Sequence, residues 1–220
     1  MITSPGSNEY FNAISHLIGT ILSLAALIVL VTFSALEGKA VHIIAFSIYG
    51  TSLFLSMLGS CLLHFFLLFD KYKRVFGVLD HTAIYILIAG TYTPFCLVTI
   101  RGGLGWTLFG IIWGLAIFCI TLKAIFFAKI PPIVSNISYL LMGWLVFPFI
   151  GPIYQQLGFE ASVWMAVGGI CYSIGAVIFA LAKPNPFPPF FGSHEIWHVA
   201  VLLGNASFFW VMLRYVLPLA

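Results

Sequence analysis

Charge is what this sequence has least of. Only 7% of its 220 residues are Asp, Glu, Lys or Arg, against roughly a quarter in a soluble globular domain. Hydrophobic residues make up 62%, and the mean hydropathy is +1.12. That balance excludes a water-soluble fold. It also excludes nucleic acid as a partner, because the formal net charge is +3 and the basic residues are scattered through several loops. No Lys or Arg precedes the first apolar stretch, which also lacks a small-residue cleavage site, so that stretch is expected to be retained rather than removed as a signal peptide. Cysteine is scarce as well. Cys61, Cys96, Cys119 and Cys171 fall inside apolar stretches without paired spacing, which excludes a disulfide framework and a Cys-x-x-Cys metal knuckle. Cys61 alone stands where a soft ligand has a use, three residues before His64. A ring of charges or an alternating barrel pattern is also missing, which argues against a pore.

What fills the chain is long hydrophobic runs. At about 20 apolar residues per crossing, it reads as one all-α domain over residues 1–220, a seven-transmembrane helix bundle. The expected spans lie near 12–33, 42–68, 79–100, 105–127, 132–153, 161–182 and 195–217. Counted by alternate loops, six basic residues (Lys71, Lys73, Arg74, Lys123, Lys129, Lys183) lie on the side of the N-terminus and three (Lys39, Arg101, Arg214) on the other. The positive-inside rule then predicts a cytoplasmic N-terminus and an outside C-terminus. The setting these features suggest is a multi-pass protein of a bacterial inner membrane.

Against this oily background the ionisable residues stand out. Ser193–Val201 reads SHEIWHVAV, and the i, i+4 spacing of His194 and His198 puts both imidazoles on one helical face, where they can grip one metal ion. The alternative is a pair of interfacial histidines. Ser56, Ser60 and His64 repeat at intervals of four near the end of the second span; Ser56 reads as structural, whereas Ser60 and His64 are candidate site residues. Asp80 begins the third span, either as a helix N-cap or as a carboxylate that orients or deprotonates a metal-bound water. Asn12, His16, Gly19 and Ser23 form a polar and small stripe on the first span, expected to face the bundle and join helices, with His16 a lesser candidate for the site. The proline-rich PNPFPPFF before Ser193 is expected to run stiffly and deliver His194 to a fixed place, and Asn205 to extend the polar lining. The alternation of spans puts His64, Asp80, His194 and His198 at one cytoplasmic depth, with His16 in the same layer and His42 opposite. Three histidines converging beside an open position suit a hydrolytic Zn2+ site.

Four stretches carry a family resemblance: NEYFNAISHLIG at 8–19, SCLLH at 60–64, LDHTAIYILIAGTYTPF at 79–95 and HEIWHVAVLLGN at 194–205. In them the chain resembles the hemolysin III proteins and, more distantly, the progestin and adipoQ receptors, which include the adiponectin receptors. The resemblance implies a seven-helix receptor-like fold with a cytoplasmic N-terminus. It implies zinc held by His64, His194 and His198, with Asp80 matching the aspartate that contacts the zinc-bound water and Ser60 the serine that precedes the first ligand. In the receptor branch such sites are linked to hydrolysis of the ceramide amide, and the hemolysin name reflects cytolysis attributed to some bacterial members. The long cytoplasmic N-terminal region of the adiponectin receptors has no counterpart here, so hormone signalling is not carried over.

The leading expectation is a zinc-dependent hydrolase of a membrane lipid amide or ester, with Asp80 accepting a proton and Ser60 or the metal steadying the oxyanion. The alternatives are a receptor-like or membrane-homeostasis protein with structural zinc, a pore-forming cytolysin, and an intramembrane protease. The protease reading rests on HEIWH, which fits H-E-x-x-H with Glu195 as general base. Against it, Glu195 suits a carboxylate that stabilises a helix N-terminus.

Overall fold

The computed structural model describes residues 8–66 and 72–220. The charged loop residues Asp70 and Lys71 lie outside the described residues. Seven labelled helices follow in order: α1 (Glu9–Leu36), α2 (Ala40–Phe66), α3 (Lys73–Pro94), α4 (Gly102–Phe126), α5 (Pro132–Trp144), α6 (Ile150–Leu181) and α7 (Ser193–Val211). Among the described residues there is no β-strand, only a bridge between Phe187 and Phe191.

The bundle is inverted relative to a soluble protein. Along α1 the buried face is Asn12, His16, Gly19, Thr20, Ser23, Ala26, Leu30 and Ser34, while Ile14, Ile18, Ile21 and Leu22 are half or more exposed. Leucine and isoleucine outside with serine, threonine and histidine inside is the arrangement expected when the solvent is hydrocarbon. The polar stripe at 12, 16, 19 and 23 therefore faces the bundle, as its spacing predicts. The buried hydroxyls of α1 are satisfied within the helix: Thr20 Oγ1 donates to the His16 carbonyl at 2.7 Å and Ser34 Oγ to the Leu30 carbonyl at 2.7 Å.

Among the described residues, six helical stretches are long and apolar enough to cross a membrane: Glu9–Leu36, Ala40–Phe66, Arg74–Ile100, Gly102–Phe126, Pro132–Leu181 and Ser193–Val216. The expected fifth and sixth spans fall together in Pro132–Leu181, which is 50 residues long. It is not one straight rod. A short 3₁₀ turn at Phe147–Phe149 separates α5 from α6, and Gly158 (φ 79°, ψ −173°) breaks the helical path inside α6. Only glycine takes that backbone conformation without strain, and it falls between the expected ends at 153 and 161.

The third helix corrects the sequence reading. It starts at Lys73, not near 79, so Asp80 lies inside a helix whose N-cap is Tyr72. Hydropathy sees only the apolar part of a helix, and Lys73 and Arg74 extend this one beyond it. The N-cap reading of Asp80 is therefore withdrawn.

Close approaches between helices hold the end where the histidines gather. α6 and α7 touch at Gly175, where an added Cβ would fall 2.6 Å from Ala200 Cβ and 2.9 Å from Trp197 Cε3. Below them, Leu30, Phe46, Tyr49, Leu53, Phe95 and Met212 form a continuous apolar core between α1, α2 and the ends of α3 and α7.

Candidate metal centre

His64 comes from the last turn of α2, His194 and His198 from the first turns of α7. All three are buried, and one ring nitrogen of each lies within 4.8 Å of the others. Ring centroids are 5.1 Å apart for His64 and His194, 4.7 Å for His64 and His198, and 5.0 Å for His194 and His198. Cys61 is not part of this group. Three imidazoles from two helices are thus brought together across more than a hundred residues of chain, as the depth argument expects.

Hydrogen bonds fix which nitrogens face inward. His64 Nδ1 lies 2.6 Å from Glu9 Oε2, in the first turn of α1. An imidazole that donates Nδ1–H to a carboxylate presents the lone pair of Nε2, the arrangement metal-bound histidines commonly use. His198 Nδ1 is 3.4 Å from Ser15 Oγ, whose own proton goes to the Asn12 carbonyl at 3.0 Å. Ser15 is therefore left to accept from His198, and this ring too keeps Nε2 as its free lone pair. His194 Nδ1 is buried without a hydrogen-bond partner. A buried orphan nitrogen beside two oriented imidazoles is a donor set that fits a zinc ion.

The histidines line a cavity of about 60 Å³ that also takes in Ser60, Asp80, His16 and Tyr139, enough for an ion and a few waters. Asp80 and Ser60 reach it from neighbouring turns of α3 and α2. The two helices meet at Gly59, where an added Cβ would lie 3.7 Å from Asp80 Cα. Ser56, read from sequence as structural, lines the cavity as well. His16 is 3% exposed, packs against His198 with centroids 3.8 Å apart and ring planes tilted by 32°, and has neither ring nitrogen hydrogen-bonded. Asn205 does not extend the lining. Its Oδ1 accepts from Tyr172 Oη at 2.6 Å and its Nδ2 lies 3.4 Å from Met57 Sδ, so it ties α7 to α6 and α2 instead. His42 is buried apart from this group and packs edge-on against Phe46.

Glu195 has another task. Its Oε2 accepts the Gly192 N–H at 2.8 Å, closing the first turn of α7, and its Oε1 accepts the Asn8 N–H at 2.7 Å and Asn12 Nδ2–H at 3.2 Å. Both oxygens are engaged by the starts of α1 and α7, and the residue is 1% exposed. It stabilises two helix N-termini, and both oxygens are held by backbone and side-chain N–H groups there. The connector before α7 is fastened in the same place: Asn185 Oδ1 accepts the Ser193 N–H at 2.9 Å, and Phe191 packs edge-on against Phe11 at 5.5 Å.

Sequence reasoning missed Glu9 as the partner of His64, and Tyr139, which comes from α5 and donates its hydroxyl to the His81 carbonyl at 2.9 Å. A carboxylate in the first turn of an apolar helix is the signal that singles out Glu9; nothing local marks Tyr139.

Apolar helices with an inverted face and a buried histidine cavity define a multi-pass integral membrane protein. The model of haemolysin-III-related proteins matches residues 6–209, and the chain belongs to that family. It is 48% identical over 212 residues to "Hemolysin-3" of Bacillus cereus, covering 96% of this chain and 93% of the relative. It is 44% identical over 207 residues to "Hemolysin-3 homolog" of Bacillus subtilis (strain 168), covering 94% and 93%.

Proposed function

We propose that the cavity is the active site of a zinc-dependent hydrolase acting on an amide or ester of a membrane lipid. The observation that carries this reading is the trio His64, His194 and His198, among the described residues three ligands rather than the closed set of four usual in structural sites, in one cavity with Asp80 and Ser60. When bound there, zinc supplies Lewis acidity and a water acidic enough to ionise near neutral pH.

The chain's own residues do the rest. Glu9 and Ser15 hold the rings of His64 and His198 in the tautomer that offers Nε2. Asp80 takes a proton from water in the cavity and returns it to the leaving amine or alcohol. Ser60 donates its hydroxyl to the oxygen that gains charge. The scissile bond reaches the cavity while the acyl chains stay among the lipids.

The test has two arms. Elemental analysis of purified protein is expected to give one zinc per chain, and stoichiometric zinc in a His64→Ala, His194→Ala double variant ends the metal assignment. Incubation with a panel of lipid amides and esters is expected to give turnover that a chelator abolishes; cleavage unaffected by the chelator ends the hydrolase mechanism. The name of the Bacillus cereus relative, Hemolysin-3, favours a second reading, cytolysis. Dye release from vesicles that persists in the zinc-free variant favours a lytic activity separate from the site.

A further inference from the structure

A second cavity, of about 600 Å³, opens where the starts of α3 and α5 meet the end of α4. Its ionisable lining is all basic: Arg74 and His81 from α3, Lys123 from α4, and Lys129 from the α4–α5 connection. Among the described residues that line it there is no carboxylate; Asp80, which lines the histidine cavity, has its Oδ2 3.8 Å from His81 Nδ1. His81 also lines the histidine cavity, so the two spaces share a wall.

Lys123 is the observation that calls for a ligand. It is 3% exposed, and its ammonium donates to the neutral hydroxyl of Ser135 at 2.8 Å and sits 5.1 Å from the centre of the Phe127 ring. A hydroxyl and a ring face compensate a buried cation only in part. Lys129 lies 5.9 Å from the Phe126 ring and keeps its charge at the rim. His81 donates Nδ1–H to the Gly77 carbonyl at 2.8 Å and packs edge-on against Phe127, which fixes the shared wall.

We propose that this cavity binds the phosphate of an anionic phospholipid headgroup. Phosphate is the anion that several convergent cationic donors hold best. The lipid source follows from the surroundings: Phe126, Ile133 and Val134 beside the rim are 42%, 52% and 50% exposed, an apolar flank along which acyl chains can lie. A zwitterionic headgroup also brings a cation, for which the described lining residues offer no carboxylate. The assignment concerns a site separate from the three histidines and does not depend on their metal or on hydrolysis.

The test uses the whole protein in nanodiscs or detergent, with short-chain phosphatidylglycerol, phosphatidic acid, phosphatidylcholine and inorganic phosphate as probes, and native mass spectrometry with titration as the readout. The two anionic lipids are expected to bind and phosphatidylcholine to bind about tenfold or more weakly. Arg74→Gln with Lys129→Gln removes two exposed rim charges and is expected to cost about tenfold or more in affinity. Lys183→Gln with Arg214→Gln, which removes as many exposed charges elsewhere, is expected to leave binding unchanged. The melting temperature of each variant reports whether it folds. Inorganic phosphate that binds while all lipids fail identifies a soluble anion as the ligand and overturns the lipid assignment. Equal binding of phosphatidylcholine and phosphatidylglycerol, or a rim variant that binds like wild type, overturns the site.

Discussion

Glu9 and Asp80 both bring a carboxylate to the histidine end of the bundle, but only Glu9 hydrogen-bonds a histidine of the metal trio. Their substitutions should therefore separate binding from chemistry. Glu9→Gln keeps an acceptor for His64 Nδ1–H and loses the charge, so zinc affinity is expected to weaken by about 10- to 100-fold. Competition with a chromophoric chelator measures this, and an unchanged dissociation constant shows that Glu9 does not support the ligand. Asp80→Asn is expected to keep zinc and lower lipid turnover by about 100-fold or more, because the acceptor for the proton is gone at unchanged size. The place of Asp80 inside α3, well past its Tyr72 N-cap, removes helix capping as a competing explanation. If the variant cleaves lipid as fast as wild type, Asp80 is not the base.

At the scale of elements, the starts of α1 and α7 form a clasp centred on Glu195. Glu195→Gln replaces one oxygen by an amide that can only donate, facing N–H groups that also donate. A destabilisation of about 1.5–3 kcal/mol is expected, the usual worth of a hydrogen bond to a charged group, and thermal unfolding in detergent reads it. A variant with an unchanged melting temperature but no turnover would restore Glu195 as a general base. The clasp also marks where the sequence stopped being legible. The i, i+4 spacing of His194 and His198 and the Ser60–His64 repeat are local, and helical periodicity alone places them on shared faces. The contact between Glu9 and His64 spans 55 residues and that between Asn8 and Glu195 spans 187, and no periodicity encodes which oxygen meets which nitrogen. Asn205 failed for the same reason: its helical face was readable, but Tyr172, the residue that claims its oxygen, was not.

At the scale of the whole molecule, the 50-residue stretch Pro132–Leu181 has to fit the bilayer. As one straight helix it would measure about 75 Å at a rise of about 1.5 Å per residue, against a hydrocarbon core of about 30 Å. Two crossings that turn at Gly158 would fit that thickness, and we propose this arrangement, which gives seven in all. With seven crossings the termini lie on opposite sides, and the positive-inside rule applied to six basic residues against three predicts a cytoplasmic N-terminus. A compartment-sensitive reporter fused at Ala220 is then expected to signal from outside. Gln156→Cys, beside the turn, is expected to react with an impermeant maleimide in intact cells beyond the background of the native cysteines, and Lys129→Cys only after permeabilisation. A cytoplasmic signal at Ala220 together with an outside label at Lys129→Cys means the orientation is reversed. A cytoplasmic signal at Ala220 with no label at Gln156→Cys means the stretch crosses once, and that the apolar windows on either side of Gly158 do not act as separate spans.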